Sequence, residues 1–120
     1  MDPKACLAFI ERREALRQEA LDQRFALAWD DLRRIIDMLI TRYRPCRIVQ
    51  WGSLLDRRKY WERSDIDLAV EGIEDAETFF RLYGDADRLT RFPLDLVALE
   101  RIEPEFADLI RAKGKVVYER

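Results

Sequence analysis

Two aspartates placed two residues apart are the clearest sign of chemistry in this sequence. Asp65 and Asp67 lie in the run Ser64–Leu68 (SDIDL), whose composition predicts a β-strand. Since side chains alternate along a strand, the two carboxylates face one side while Ile66 and Leu68 face a core on the other. Two like charges side by side on a sheet are destabilising unless a cation neutralises them. Mg²⁺ is commonly held by one or two carboxylates together with substrate phosphates, so the pair predicts a magnesium site.

A Gly-Ser pair stands ahead of the aspartates. Gly52 and Ser53 end the apolar run Cys46–Trp51, which predicts a strand of its own. A glycine at that point lets the backbone approach a phosphate closely, and the serine adds N–H and O–H donors. The alternative is a simple turn, in which both residue types are common.

A third carboxylate completes the set. Asp95 lies in Phe92–Leu99, another run with the alternation of a strand. If this strand pairs beside the strand of Asp65 and Asp67, the three carboxylates converge. Such a cluster is the minimum for metal-assisted phosphoryl or nucleotidyl transfer. The alternative is that all three are exposed charges on a solvated strand face or at a sheet edge.

The basic loop between these strands has two interpretations. The segment Arg57–Arg63 contains four cations and two aromatic residues. It is either a solvated loop, or a loop whose cations meet triphosphate oxygens. In the second interpretation Arg57 and Arg63 are the predicted phosphate ligands.

Together these residues resemble the nucleotidyltransferase superfamily that includes DNA polymerase beta, and within it the minimal nucleotidyltransferases. The family pattern is a strand ending in Gly-Ser, an Asp-x-Asp on the next strand and a third Asp further on. The matching residues are Gly52, Ser53, Asp65, Asp67 and Asp95, and the resemblance covers residues 45–118. One departure is Arg57, which stands where the family usually has a second glycine. The loop Leu54–Arg63 has no glycine and is therefore expected to be a less adaptable phosphate cradle.

The resemblance implies a Mg²⁺-dependent transfer from ATP. Asp65 and Asp67 would be metal ligands, and Gly52 and Ser53 would hold the β and γ phosphates. Asp95 would bind the second of two Mg²⁺ ions and help to deprotonate an acceptor hydroxyl.

The resemblance also implies a partner. Minimal nucleotidyltransferases of this kind resemble the antitoxin half of prokaryotic toxin–antitoxin pairs, whose usual partner is an all-helical HEPN toxin, a ribonuclease. The implied reaction transfers AMP to a tyrosine of that toxin, and the alternative is a binding module that masks the toxin stoichiometrically. Only 25 residues follow Asp95, so the acceptor is expected on another molecule. A transferase acting on an antibiotic or a nucleic-acid end would need an acceptor pocket of its own.

Composition narrows the class of protein. With 120 residues, 48% of them hydrophobic, a single domain with a core is expected. The net charge of −2 gives no sign of a nucleic-acid-binding face, and no apolar run is long enough for a membrane span. The sequence contains no histidine, which excludes a histidine base, a Ser-His-Asp triad and histidine-ligated zinc. Two widely separated cysteines and the lack of a signal-peptide pattern predict a cytoplasmic protein.

The first 44 residues read as helical. Asp2 and Pro3 predict a helix start, and a stripe with steps of three and four residues runs from Leu21 to Leu39. The helix is expected to end before Pro45. The charged segment Lys4–Ala20 is either a separate helix or an extension that meets a partner, with a homodimer as one outcome.

Residues 45–120 read as the nucleotidyltransferase core, and with residues 1–44 they form one domain. The pattern of turns and apolar runs predicts the order α-β-β-α-β-α-β. The fold class is therefore α+β: a two-layer minimal nucleotidyltransferase fold with a small mixed sheet, packed by helices. Two later helices are expected to bury the apolar residues Phe79, Phe80, Leu82, Phe106, Leu109 and Ile110.

Overall fold

The chain folds into helices packed on a four-stranded sheet. A computed structural model describes residues 2–120. The elements follow the predicted order α-β-β-α-β-α-β, and the α+β class is confirmed. They are α1 Pro3–Met38, β1 Arg47–Trp51, β2 Ile66–Glu71, α2 Ala76–Asp87, β3 Leu94–Ala98, α3 Pro104–Lys113 and β4 Lys115–Glu119. Within residues 2–120, no helix is both long enough and apolar enough to cross a lipid bilayer.

The sheet is mixed, with the strand order β3-β2-β1-β4. β1 runs antiparallel to both β2 and β4, whereas β2 and β3 are parallel. Parallel neighbours need a crossover connection, and α2 provides it here. The parallel pair matters for function because it carries two of the three aspartates.

The two faces of the sheet are covered by different helices. One face carries Ile48, Leu68 and Val70, which pack in the main core with α1 and α2. The opposite face carries Val49 and Ala69, which pack against Ala107 and Ile110 of α3 and form a smaller core. Because side chains alternate along β2, Ile66 and Leu68 lie in the main core, as predicted, while Asp67 faces the α3 side.

α1 extends well beyond the part of the helix that packs in the core. The Asp2 side chain accepts a hydrogen bond from the backbone N–H of Ala5 at 2.8 Å, and Pro3 occupies the first turn, as predicted. The segment Lys4–Ala20 continues the same helix, and its residues are exposed as far as the first buried one, Leu21. The molecule therefore measures 64 × 29 × 21 Å.

The C-terminal end of α1 lies before Pro45, as predicted. The helix loosens into a π-helical turn over Leu39–Tyr43, and Arg44 takes a left-handed conformation with φ of 48°. Since the residue before a proline disfavours the helical region, the chain leaves the helix at this point.

Three apolar side chains of α2 and α3 lie outside the core. Phe80 is 73% exposed, so its predicted burial is wrong. In α2 the buried residues are Leu82 and Ala86, and Phe80 points away from them. The predicted burial of Phe106 and Leu109 is also wrong, since these residues are 38% and 47% exposed. α3 turns Ala107 and Ile110 to the sheet and leaves its other apolar positions at the rim.

Candidate active site

The three predicted aspartates lie together at the β2–β3 edge of the α3-side face. Asp67 pairs in parallel register with Asp95, and Asp65 directly precedes β2. One carboxylate oxygen of each residue lies within 4.8 Å of the other two. Parallel pairing explains the convergence, because residues opposite each other in register point to the same face of the sheet.

The electrostatics of this cluster are unfavourable for three bare negative charges. Asp67 is only 8% exposed, and burial raises its pKa to about 7, with further contributions from the charges of Asp65 and Asp95. The pKa of Asp95 is also raised, first by burial and then by the charge of Asp65. Desolvation and like charges both disfavour the ionised form of a carboxylate. The cluster is therefore a site where a positive charge would relieve repulsion.

The donor set fits a hard divalent cation. Asp65, Asp67 and Asp95 offer only oxygen ligands, which Mg²⁺ prefers, and they are spaced so that one ion can contact all three. Each carboxylate that binds an ion loses part of the repulsion from its neighbours. A metal ion held by these three residues is therefore a prediction, based on the ligand chemistry of their carboxylates.

The Gly-Ser loop packs directly on this cluster. Gly52 has φ of +83°, a conformation that favours glycine, and a Cβ placed there would lie 2.7 Å from the Cγ atom of Asp67. Ser53 then begins a short 3₁₀ helix, Ser53–Leu55, in which Leu54 is buried. Gly52 is therefore required by close packing as well as by backbone conformation. Its contact sets the position of the loop relative to the carboxylates.

A cavity of about 410 Å³ opens beside the loop. Its lining includes Gly52, Ser53, Lys59 and Lys113. Two ammonium groups next to a serine form a suitable surface for phosphate oxygens. The sequence predicts a basic run that contains Lys59 without singling this residue out. It missed Lys113, which reaches the cavity only because α3 ends beside β1 in the folded chain.

The two arginines predicted as phosphate ligands lie elsewhere. Arg57 turns towards α1, where its Nε donates to Asp22 Oδ1 at 2.5 Å and its Nη2 donates to the Gln18 carbonyl at 3.3 Å. Arg63 is exposed. The cavity beside Ser53 is lined by neither residue, so the structure does not bring them together with Gly52 and Ser53.

The loop accommodates its lack of glycine through regular turns. After Ser53–Leu55 the chain forms a second 3₁₀ turn, Arg57–Lys59, in which the Asp56 side chain accepts a hydrogen bond from the Arg58 N–H. Of the residues other than glycine in the described part, only Arg44 has positive φ. Arg57 therefore occupies the place of the second glycine without backbone strain.

An aromatic pair borders the cluster on the α3 side. Trp51 is the register partner of Asp67, so both side chains share a face. Its ring meets Phe106 edge to face, with 5.6 Å between ring centres and 87° between planes. Sequence reasoning missed this pair, because strand register and the position of α3 are needed to place it.

Comparison with known proteins identifies the family. The model of the family described as "Polymerase beta, Nucleotidyltransferase" matches residues 33–120. The chain belongs to this nucleotidyltransferase family. The matched range contains Gly52, Ser53 and all three aspartates, so the family's match and the clustered side chains coincide.

Solved structures share the fold of this nucleotidyltransferase. One is a crystal structure of the toxin–antitoxin pair MntA–HepT, with 18% identity over 75% of this chain and 71% of that chain, and a TM-score of 0.56. A mutant of that toxin–antitoxin pair gives 20% identity over 74% of this chain and 73% of that chain, with a TM-score of 0.59. No curated protein matches the chain. At these identities the likeness establishes the fold.

Proposed function

We propose that this chain is a Mg²⁺-dependent nucleotidyltransferase that moves AMP from ATP to a tyrosine hydroxyl of a HEPN-type toxin and thereby acts as its antitoxin. The observation that carries the proposal is the packing of Gly52 on Asp67, which sets a phosphate loop directly beside a carboxylate cluster. Family membership supports the transfer, and the toxin–antitoxin pairs among the structural neighbours support the role of the partner.

The triphosphate is bound at the Gly-Ser loop. Ser53 donates to phosphate oxygens, while Lys59 and Lys113, which line the same cavity, neutralise the charge of the β and γ phosphates. Because Gly52 has no side chain, the loop leaves space for the α-phosphate to reach the carboxylates. Arg57 and Arg63 are then secondary cations that approach the triphosphate only if the loop rearranges.

The carboxylates serve the reacting centre. Asp65, Asp67 and Asp95 would hold two Mg²⁺ ions, which when bound polarise the phosphoryl oxygens and stabilise the departing pyrophosphate. The acceptor oxygen forms a bond to the α-phosphorus as the bond from that phosphorus to the pyrophosphate oxygen breaks. Ser53, Lys59 and Lys113 retain the leaving group, since it departs into the cavity that they line.

Asp95 is the proposed proton acceptor. Its carboxylate lies at the rim of the cluster, less buried than Asp67, and its pKa is raised by burial and by Asp65. A raised pKa makes a carboxylate a stronger base, provided that it is ionised when the acceptor hydroxyl arrives. The sequence contains no histidine that could compete for this role.

A second candidate function is stoichiometric masking of the partner without catalysis. The observation that favours it is the Arg57 side chain, which replaces the family's second glycine and is tied to α1 through Asp22 and Gln18. A phosphate loop fastened in this way is less adaptable. The complete carboxylate cluster favours catalysis instead.

The test uses the purified chain, labelled ATP, Mg²⁺ and a HEPN-type toxin as the acceptor protein. The expected result is a mass increase of one AMP unit, or multiples of it, on a tyrosine of that protein. The matched control is the Asp65→Asn/Asp67→Asn variant, which should lose both the mass shift and the neutralisation of toxicity. A double variant that still neutralises the partner at normal expression would replace the enzyme with the masking function.

A further inference from the structure

The N-terminal half of α1 carries large apolar side chains that lie outside the core. Leu7, Phe9, Ile10 and Leu16 are each more than half exposed. Most of the stability of a protein helix comes from packing of its apolar side chains, so a helix that projects with an apolar surface gains stability from a partner. A groove of about 400 Å³ runs along it, lined by Phe9 and Ile10 together with charged residues.

A complementary hollow lies further along the same helix. A cavity of about 480 Å³ sits between α1 and the loop that precedes β3. Its apolar lining is Leu27, Leu89 and Phe92, and its charged lining is Asp31, Arg88 and Arg91. Leu27 is itself 57% exposed, so the hollow is open to an apolar side chain from outside.

We infer that two copies of this chain pair antiparallel through α1, so that Phe9 and Ile10 of each copy enter the hollow beside Leu27 of the other. Phe9 precedes Gln18 by nine residues and Leu27 follows it by nine residues. A two-fold axis near Gln18 therefore places each apolar end on the other copy's hollow. Such an isologous contact uses one surface patch twice and closes as a dimer.

Charge and length both suit a second copy as the occupant. Residues 2–20 of one copy lie opposite residues 16–34 of the other, and each of these segments contains four acidic and four basic side chains, so neither carries a net charge that would oppose the pairing. Antiparallel overlap of residues 3–33 of each helix gives about 46 Å of helix contact at 1.5 Å per residue.

The pairing leaves the candidate active site open. α1 packs on the sheet face of Ile48 and Leu68, whereas Asp67 lies on the opposite face. The dimer is therefore independent of the proposed transfer reaction, and each can be tested without the other.

The first test is sedimentation velocity of the purified chain over a range of concentrations. The expected result is a dimer whose dissociation constant rises at least ~10-fold in Phe9→Glu/Ile10→Glu, because the apolar contact with each hollow is lost. Leu27→Glu should have the same effect from the other side of the interface. The matched control is Ala8→Glu/Ala15→Glu, which adds the same charge on the opposite side of the helix and should leave the dimer intact.

The second test measures the direction of pairing. A spin label on Cys6, in a Cys46→Ser background that leaves one exposed thiol, reports the distance between copies. Cys6 lies twelve residues from Gln18, so the antiparallel dimer predicts about 36 Å along the helix axis. A label distance below about 20 Å would mean parallel pairing at 1.5 Å per residue and would overturn the arrangement. A chain that stays monomeric at every concentration would overturn the dimer itself.

Discussion

Gly52 lies against the carboxyl group of Asp67 with no room for a side chain between them. A Cβ on Gly52 would lie 2.7 Å from Asp67 Cγ and 3.0 Å from Asp67 Cβ, and the backbone there has φ of +83°. The loop that approaches a phosphate and the strand that carries the central carboxylate are thus held at a fixed separation. The first prediction tests this contact.

Gly52→Ala should weaken binding of Mg²⁺-ATP and lower stability by about 1–3 kcal/mol, because the residue is forced into a strained conformation and displaces Asp67. Thermal melting and calorimetric ATP titration measure the two effects. The matched control is Gly84→Ala in α2, where the nearest atom to the new Cβ is Arg88 Nη1 at 3.5 Å. That change should stabilise the helix by about 0.5–1 kcal/mol. Unchanged ATP binding in Gly52→Ala would contradict the role of this contact.

The metal-free protein should lose stability as the pH rises from about 4 to about 7. The pKa of Asp67 is about 7 in the folded chain, against about 3.9 for an unfolded aspartate, so the folded state binds more protons in this window. The stabilisation that this protonated carboxyl contributes is fully present below the unfolded-state pKa and is lost as the pH rises to the folded-state pKa. The free energy of unfolding then falls with a slope approaching 1.4 kcal/mol per pH unit, which is about the free energy of one pKa unit.

Urea unfolding at several pH values measures this dependence, and Asp67→Asn should remove it. Other carboxyls titrate in the same range, so the difference between the two proteins isolates Asp67. Mg²⁺ at pH 7–8 should restore stability to the wild type and leave Asp67→Asn unchanged. If the wild type became more stable relative to Asp67→Asn as the pH rises, the sign of the pKa shift would be wrong.

Lys59→Met and Lys113→Met should each raise the KM for ATP by about 5–10-fold, since each removes one charge-assisted contact to phosphate worth about 1–1.5 kcal/mol. The matched control is Arg58→Met, whose side chain is 89% exposed and pairs with Asp56 at 3.1 Å. Steady-state transfer kinetics separate KM from kcat. Equal effects in all three variants would indicate a general charge effect rather than a phosphate site at the cavity.

Arg57→Gly should preserve or increase transfer. The change restores the glycine usual in the family and releases the loop from Asp22 and Gln18. The released loop should also be cut faster by a protease that cleaves between residues 54 and 63, because its anchor on α1 is lost. A large loss of transfer with an intact loop would assign a direct phosphate contact to Arg57.

Gln50→Leu should raise the free energy of unfolding by about 1–3 kcal/mol, the range expected when an unpaired buried amide is replaced by an apolar group of similar size. Gln50 is fully buried in β1, and within residues 2–120 neither amide atom of its side chain has a hydrogen-bond partner. Gln50→Glu keeps the shape and adds a charge, so it should destabilise strongly. Chemical denaturation measures both variants, and a destabilised Gln50→Leu would show that the amide is paired in solution.

The sequence by itself determined the order of the elements and the shared face of Asp65 and Asp67, whereas the arrival of Asp95 beside them depends on the pairing of β2 with β3. Alternation in Ser64–Leu68 separates Asp65 and Asp67 from Ile66 and Leu68 whatever the rest of the chain does, because the period of a strand is a local property. The start of α1 at Asp2 and its end before Pro45 follow in the same way from local backbone preferences. Residue order was thus sufficient for the strands, the helices and the family resemblance.

Only the tertiary structure decided where the long side chains go. Lys113 reaches the Gly-Ser cavity and Arg57 turns to Asp22, although the sequence marked Arg57 for phosphate and left Lys113 unnoticed. Exposure of Phe106 and Leu109 likewise depends on how α3 is rotated against the sheet. A flexible side chain near the surface is positioned by neighbours distant in sequence, so its contacts follow from packing and not from local pattern.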